Sequence, residues 1–109
     1  YQNYLYLNGL AAEMTEALAE YVHRLIRNQL GIADADAAET EKLLRQGYRG
    51  ARYSFGFPAC PDLADQRRLL DLLGGERLGI VIGEEGQMHP EQSTSAFVVH
   101  HPQARYFSL

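Results

Sequence analysis

Between Asn8 and Gln29 the apolar residues Leu10, Met14, Leu18, Tyr21 and Leu25 recur at three- and four-residue steps, which places them on one side of a long helix. Val22 and Ile26 widen that stripe. Glu13, Glu16, Glu20, Arg24 and Arg27 fall on the opposite side, where solvent is expected. Glu20 and Arg24 stand in the favourable i,i+4 order for an exposed pair. Gly31 occupies the position where a left-handed cap closes such a helix. With about five or six turns at 3.6 residues per turn, this helix is the main scaffold.

Less regular segments follow. Asp36-Ala37-Ala38-Glu39 has the form of a capping box and predicts a second, shorter helix running through Leu43-Leu44 to about Gln46. Gly47 and Gly50 then open an aromatic stretch, Tyr48 to Pro61, with no sustained period. Pro58 and Pro61 exclude regular helix there and remove ladder donors. A third helix is expected from Asp62 to Leu73, burying Leu63, Leu69, Leu70 and Leu73 and stopped by Gly74-Gly75.

The remainder reads as strands. Residues 78–82 (Leu-Gly-Ile-Val-Ile) and 96–99 (Ala-Phe-Val-Val) are apolar on both faces and suit central positions of a covered sheet. Glu84 to Ser95, with His89-Pro90-Glu91, predicts a short edge strand plus a loop, and Arg105 to Leu109 a last strand. Helices early and strands late predict an α+β fold: a long N-terminal helix and two shorter helices packed on a small, mainly antiparallel twisted sheet.

Composition narrows the function classes. A chain of 109 residues is one domain or a piece of one. The net charge is −4 and the ten basic residues are scattered, Arg67-Arg68 being the only adjacent pair, so neither nucleic acid nor an anionic membrane is an expected partner. Cys60 is the only cysteine, which excludes an internal disulfide and fits a reducing cytoplasm. No apolar run approaches the ~20 residues of a bilayer span, and Tyr1-Gln2-Asn3-Tyr4 lacks the form of a signal peptide. The absence of a leading methionine suggests a fragment of something larger, with residues 1–109 as a single domain piece.

The stretch richest in chemistry is Tyr48-Arg49-Gly50-Ala51-Arg52-Tyr53-Ser54-Phe55-Gly56-Phe57-Pro58-Ala59-Cys60-Pro61. Arg52 lies four residues before Gly56, in a stiffened loop with aromatic neighbours. Its planar fork matches a carboxylate, the glycine lets backbone approach a ligand, and a ring can cover an apolar or cationic part of it. That suits an amino-acid-like molecule, but equally describes a surface arginine in a Pro-rich connection. Other candidates are weaker. His100 and His101 are adjacent and point to opposite faces of a strand, His23 and His89 are far apart in sequence, and no Cys/His spacing resembles a zinc site. Cys60 has no visible base, and Glu84-Glu85 and Asp62 with Asp65 read as strand-end and cap carboxylates. Neither a metal nor a catalytic group is expected.

The segment Arg52-Tyr53-Ser54-Phe55-Gly56-Phe57, followed by Pro58-Ala59-Cys60-Pro61, resembles the Arg-x-x-x-Gly-Tyr signature and Pro-Ala-Cys-Pro run of the activation domain of vitamin-dependent methionine synthases. Ala19-Glu20-Tyr21-Val22-His23, Tyr48-Arg49-Gly50, His89-Pro90-Glu91-Gln92-Ser93, His101-Pro102 and Tyr106-Phe107 resemble the same family in the same order, so the likeness spans essentially the whole chain. It implies a C-terminal part of a domain that binds S-adenosylmethionine as the methyl donor for reductive methylation of cob(II)alamin. The cobalamin would sit on a neighbouring domain, and the electron would come from flavodoxin or an equivalent reductase. Carried over by motif, Arg52 would grip the methionyl carboxylate. Main-chain groups at Ser54, Gly56 and Phe57 would hold the ligand, Tyr106 and Phe107 would border it, and Glu16 matches an acidic contact. Two departures follow. Phe57 stands where the signature has tyrosine, so a hydroxyl is missing, and an acidic contact from the first part of the family domain has no counterpart here. A non-catalytic module docking a cobalamin-binding domain or flavodoxin, with ligand binding lost in the fragment, is the other implied role.

Overall fold

The structure, a computed structural model, describes residues 1–106. The first helix, α1, runs from Gln2–Leu30 and so begins before the recognised periodic stretch. Gly31 caps it at φ 72, its N–H donating to Asn28 O while Ile32 N–H donates to Arg27 O, the paired bonds of a Schellman ending. A 3-10 turn at Ala33–Ala35 leads to α2 (Thr40–Leu44), and β1 follows at Ala51–Ser54. Helix α3 spans Asp65–Leu73, a 3-10 turn covers Gly75–Leu78, and three short strands complete the chain: β2 (Val81–Ile82), β3 (Met88–His89) and β4 (Ala96–Val99). The architecture is helices on small antiparallel sheet, as expected. Among the described residues, though, the sheet is two separate ribbons, β1 with β4 and β2 with β3.

The β1–β4 ribbon sets the geometry of the middle of the molecule. Arg52 pairs with Val98 and Ser54 with Ala96, so the alternation of β1 puts Arg52 and Ser54 on one face and Ala51, Tyr53 and Phe55 on the other. Ala51 and Phe55 are buried, and Phe55 packs on Phe97 with ring centroids 5.3 Å apart. Gly50, just before β1, has φ 92, and a Cβ there would run into the Val99 carbonyl oxygen. Only glycine lets the chain enter the ribbon at that angle. Gln66 ties α3 to both ribbons: its Nε2 donates to Gly86 O at 2.8 Å and its Oε1 accepts from Ser95 Oγ at 2.8 Å.

Several local expectations are corrected. Asp36 does not open a capping box. Its carboxylate takes two bonds from Arg27, and α2 starts only at Thr40, with no side-chain cap. A charge-assisted, two-point bond to a buried guanidinium outcompetes a bond to one backbone N–H. Leu78 ends a 3-10 turn and Gly79 is left-handed at φ 76, so only Val81–Ile82 of the presumed central strand is extended. The third helix begins three residues late, after Asp62 Oδ1 has accepted a bond from Ala64 N–H. Arg105 and Tyr106 form no strand. Arg105 Nη1 donates to the Pro102 and Ala104 carbonyls and curls the segment, and the three final residues, Phe107 among them, lie outside the described ones.

The largest correction concerns α1. Glu16, Glu20, His23 and Arg27 lie at steps of four, three and four, one face of the helix, and His23 and Arg27 are each only 1 % exposed. Of the residues expected on the wet face, Glu20 and Arg27 turn inward, whereas Glu13, Glu16 and Arg24 stay exposed. The apolar stripe of Leu10, Met14, Leu18, Tyr21 and Leu25 faces out, with Met14 64 % and Leu18 61 % exposed. The inner face is held by pairing: Arg27 stacks over the Tyr48 ring at 4.1 Å while bonding Asp36, and Thr15 Oγ1 donates to Gln92 O at 3.0 Å. In this chain Leu18→Ser is therefore expected to change unfolding free energy by no more than about 0.5 kcal/mol, the usual size for a surface position. Urea denaturation of the 109-residue chain checks this, and a loss above about 1 kcal/mol would mean that the stripe is covered. No helix among the described residues is long and apolar enough to cross a membrane.

Candidate functional site

Residue Arg52 stands at the centre of β1 with its side chain directed at α1. Its Nη2 donates to Glu20 Oε2 at 3.1 Å, and its Nη1 lies 3.2 Å from His23 Nδ1. A guanidinium has only donors, so His23 Nδ1 accepts and the imidazole proton sits on Nε2. His23 in turn meets the Tyr48 ring edge-on at 4.8 Å. Burial first, then the Arg27 and Arg52 cations, lower the His23 pKa from 6.5 to about 4, so it is neutral at physiological pH. Burial, reinforced by the Glu20 charge, pushes the Tyr48 phenol upward and keeps it neutral too.

Beside this cluster lies a cavity of about 310 Å³, lined by Glu16, Glu20, Leu44, Gln46, Tyr48, Arg52, Ser54, Phe57 and Tyr106. That volume falls at the low end of the roughly 300–1,000 Å³ typical of small-molecule sites. Five of the seven residues singled out from sequence converge on its wall: Glu16, Arg52, Ser54, Phe57 and Tyr106. Gly56 does not line it but shapes the turn between two residues that do. It adopts φ 87 and donates its N–H to Cys60 O at 2.9 Å, across the tight Phe57–Cys60 turn. Phe107 lies outside the described residues. Tyr106 stacks on Tyr53 with centroids 6.1 Å apart, and Tyr53 OH donates to Arg105 O at 2.7 Å, which anchors this aromatic wall.

The cavity combines one cation with two carboxylates, Glu16 and Glu20, and three rings, a lining suited to a molecule carrying both charges and a flat apolar part. Arg52 engages two of its five N–H groups with Glu20 and His23, which leaves three for a ligand. A second groove of about 420 Å³ runs on the other side of Arg52, between α1 and β4. Leu18, Val22, Ile26, Ile80 and Val98 give it apolar walls, Arg52 and His23 reach it from the cluster, and Glu16, Ser54, Phe57 and Tyr106 are absent from it. Among the described residues no three His, Cys, Asp or Glu converge as a metal site would require.

Glu20, His23 and Tyr48 were not picked out as site residues from the sequence. Glu20 had been paired with Arg24, whereas it bonds Arg52, which is 32 residues away. The available signal was the four-residue step from Glu16 to Glu20 and the three-residue step to His23, which put all three on the face of the acidic candidate.

All of residues 1–109 match the family described as vitamin B12 dependent methionine synthase, activation domain. The methionine synthase of Mycobacterium tuberculosis (strain ATCC 25618 / H37Rv) is 49% identical over 115 residues, and that of Mycobacterium leprae (strain TN) 50%. Each comparison covers 100% of this chain and 10% of the relative, so the chain spans about a tenth of those proteins. A solved structure titled as the MetH reactivation domain bound to AdoHcy superposes with a TM-score of 0.87 at 31% identity, covering 98% of this chain and 34% of that one.

Proposed function

The chain belongs to the activation-domain family of vitamin B12 dependent methionine synthases, and from that membership we propose that its cavity binds S-adenosylmethionine as the methyl donor that reactivates the enzyme. The observation that carries this reading is the convergence of Glu16, Arg52, Ser54, Phe57 and Tyr106 on one cavity. AdoHcy, named in the solved relative, is what this donor becomes once its methyl is gone, which supports the same ligand class here.

Each wall has a task. Arg52 offers its remaining N–H groups to the α-carboxylate of the ligand, and the ring of Phe57, which lacks a phenol hydroxyl, acts by packing. Glu16 supplies negative potential beside the sulfonium and ammonium groups. The nucleophile for the methyl would be supplied by a cobalamin on a neighbouring domain, with flavodoxin or an equivalent reductase as the electron source. The sulfonium methyl is already electrophilic, so this chain needs no acid, base or covalent residue. Its contribution is to hold the donor in one place and orientation.

Calorimetric titration of the full-length protein with S-adenosylmethionine tests the assignment. Arg52→Ala is expected to cost on the order of 1.5–3 kcal/mol, around 10- to 150-fold in affinity, because a charge-assisted contact to a carboxylate is lost. Unchanged affinity in that variant, or no heat of binding in the parent, rejects the site. The outward apolar stripe of α1 favours a second reading, in which this chain is a docking module for the cobalamin-binding domain or flavodoxin. On that reading Arg52→Ala leaves ligand affinity intact, while charged substitutions at Met14 and Leu18 abolish reactivation.

A further inference from the structure

We propose that Glu20 and His23 are positioning residues for Arg52, holding its guanidinium plane from α1 so that the remaining N–H groups meet the ligand carboxylate in one orientation. The inference rests on the reading of the cavity as the S-adenosylmethionine site. A long arginine side chain has many rotamers, and one left free would lose that freedom only on binding, which weakens the complex. Here two bonds fix it beforehand. Nη2 reaches Glu20 Oε2 at 3.1 Å and Nη1 reaches His23 Nδ1 at 3.2 Å, and two anchors at the two ends of the fork define its plane.

The anchors are themselves fixed. Glu20 and His23 are three residues apart on one face of α1, and the ring of His23 is pressed edge-on against Tyr48 at 4.8 Å. Arg27, one turn further on, covers the same Tyr48 ring and is bound by Asp36. Stability alone explains Glu20 poorly. Its Oε1 is buried and has no hydrogen-bond partner among the described residues. Buried polar atoms are otherwise almost always satisfied, and buried ion pairs are often replaceable by apolar residues without loss of stability. A carboxylate held at such a cost, next to the cavity and bonded to the arginine that lines it, is accounted for by what it does to that arginine.

The test compares S-adenosylmethionine with its decarboxylated analogue, in full-length protein. Glu20→Ala is expected to weaken binding of S-adenosylmethionine about tenfold, the size of one charge-assisted bond poorly made, while leaving the analogue within about twofold. In an Arg52→Ala background the same substitution should have no further effect. Glu20→Gln, which keeps an acceptor oxygen and the side-chain volume, should restore most of the affinity, and serves if the alanine variant does not fold. An equal loss for both ligands overturns the proposal, as does a Glu20 effect that survives without Arg52, since Glu20 would then touch the ligand itself. If Arg52→Ala alone leaves binding of the parent ligand unchanged, the site assignment fails, and the positioning role with it.

Discussion

Replacing Asp36 by alanine is expected to destabilise the fold by about 3–5 kcal/mol, the characteristic cost of leaving a buried charge without its partner. Arg27 is 1 % exposed, and its Nε and Nη2 donate to the two Asp36 oxygens at 2.9 and 3.1 Å. Its Nη1 already has no partner among the described residues, so the guanidinium has little further bonding to fall back on. The remaining support is the Tyr48 face at 4.1 Å, worth about 0.5–2 kcal/mol and no substitute for a carboxylate. A small domain has only about 5–15 kcal/mol in hand, so most of the stability would go. Urea denaturation at pH 7 measures it. Asp36→Asn, which keeps one acceptor, should lose less. The double variant Arg27→Met with Asp36→Ala should recover much of the loss, because no orphaned charge remains. A single-variant cost below about 1 kcal/mol would show that water reaches Arg27 and that the pair is effectively a surface one.

The same residue shows where sequence reasoning stops. Asp36 and Glu39 have the spacing of a helix cap, and local spacing is all that a capping rule can see. The competing partner, Arg27, lies nine residues back and comes within reach only because the Gly31 cap turns the chain around. Gly31 itself was readable, since a left-handed residue after a periodic run has few alternatives. So was the motif from Arg52 to Pro61, whose glycine and prolines fix local geometry regardless of context. The facing of α1 was not readable. Its apolar stripe obeys the helical period, but the period says only that two faces differ, and here Glu20 and Arg27 are drawn inward by Arg52, Asp36 and Tyr48, none of them on the helix. Strand β1 was missed for a similar reason. Ala51–Ser54 alternates a small, a charged, an aromatic and a polar residue, a pattern without an apolar side, and its pairing with β4 depends on Gly50. The fold class was legible as helices on a small antiparallel sheet, and the site candidates were legible only through the resemblance. Five residues taken from a resemblance meet on one wall, whereas Glu20, their closest supporter, was assigned to a local partner.

Acid should weaken this fold through His23, and the direction follows from its two pKa values. Folded, the imidazole titrates at about 4, depressed by burial and by the Arg27 and Arg52 cations, with Glu20 and Asp36 opposing. Unfolded, it titrates near 6.5. The unfolded chain therefore takes up the proton first, so the stability is fully present above about pH 6.5 and drains away as pH falls toward 4. A gap of roughly 2.5 units at 1.36 kcal/mol each amounts to about 3 kcal/mol. Protonation also turns Nδ1 from acceptor to donor, facing an Arg52 that can only donate, so the pose of the guanidinium fails over the same interval. Neighbouring carboxylates respond to acid as well, and the comparison must subtract them. Urea midpoints at pH 7.5 and 4.5 for the parent and for His23→Gln, which keeps an acceptor but cannot be protonated, isolate the imidazole. The parent should lose about 2–3 kcal/mol more than the variant across that range. Parallel losses in the two proteins would mean that His23 exchanges its proton as freely in the folded chain as in the unfolded one, and that the contact with Arg52 does not depend on its neutral form.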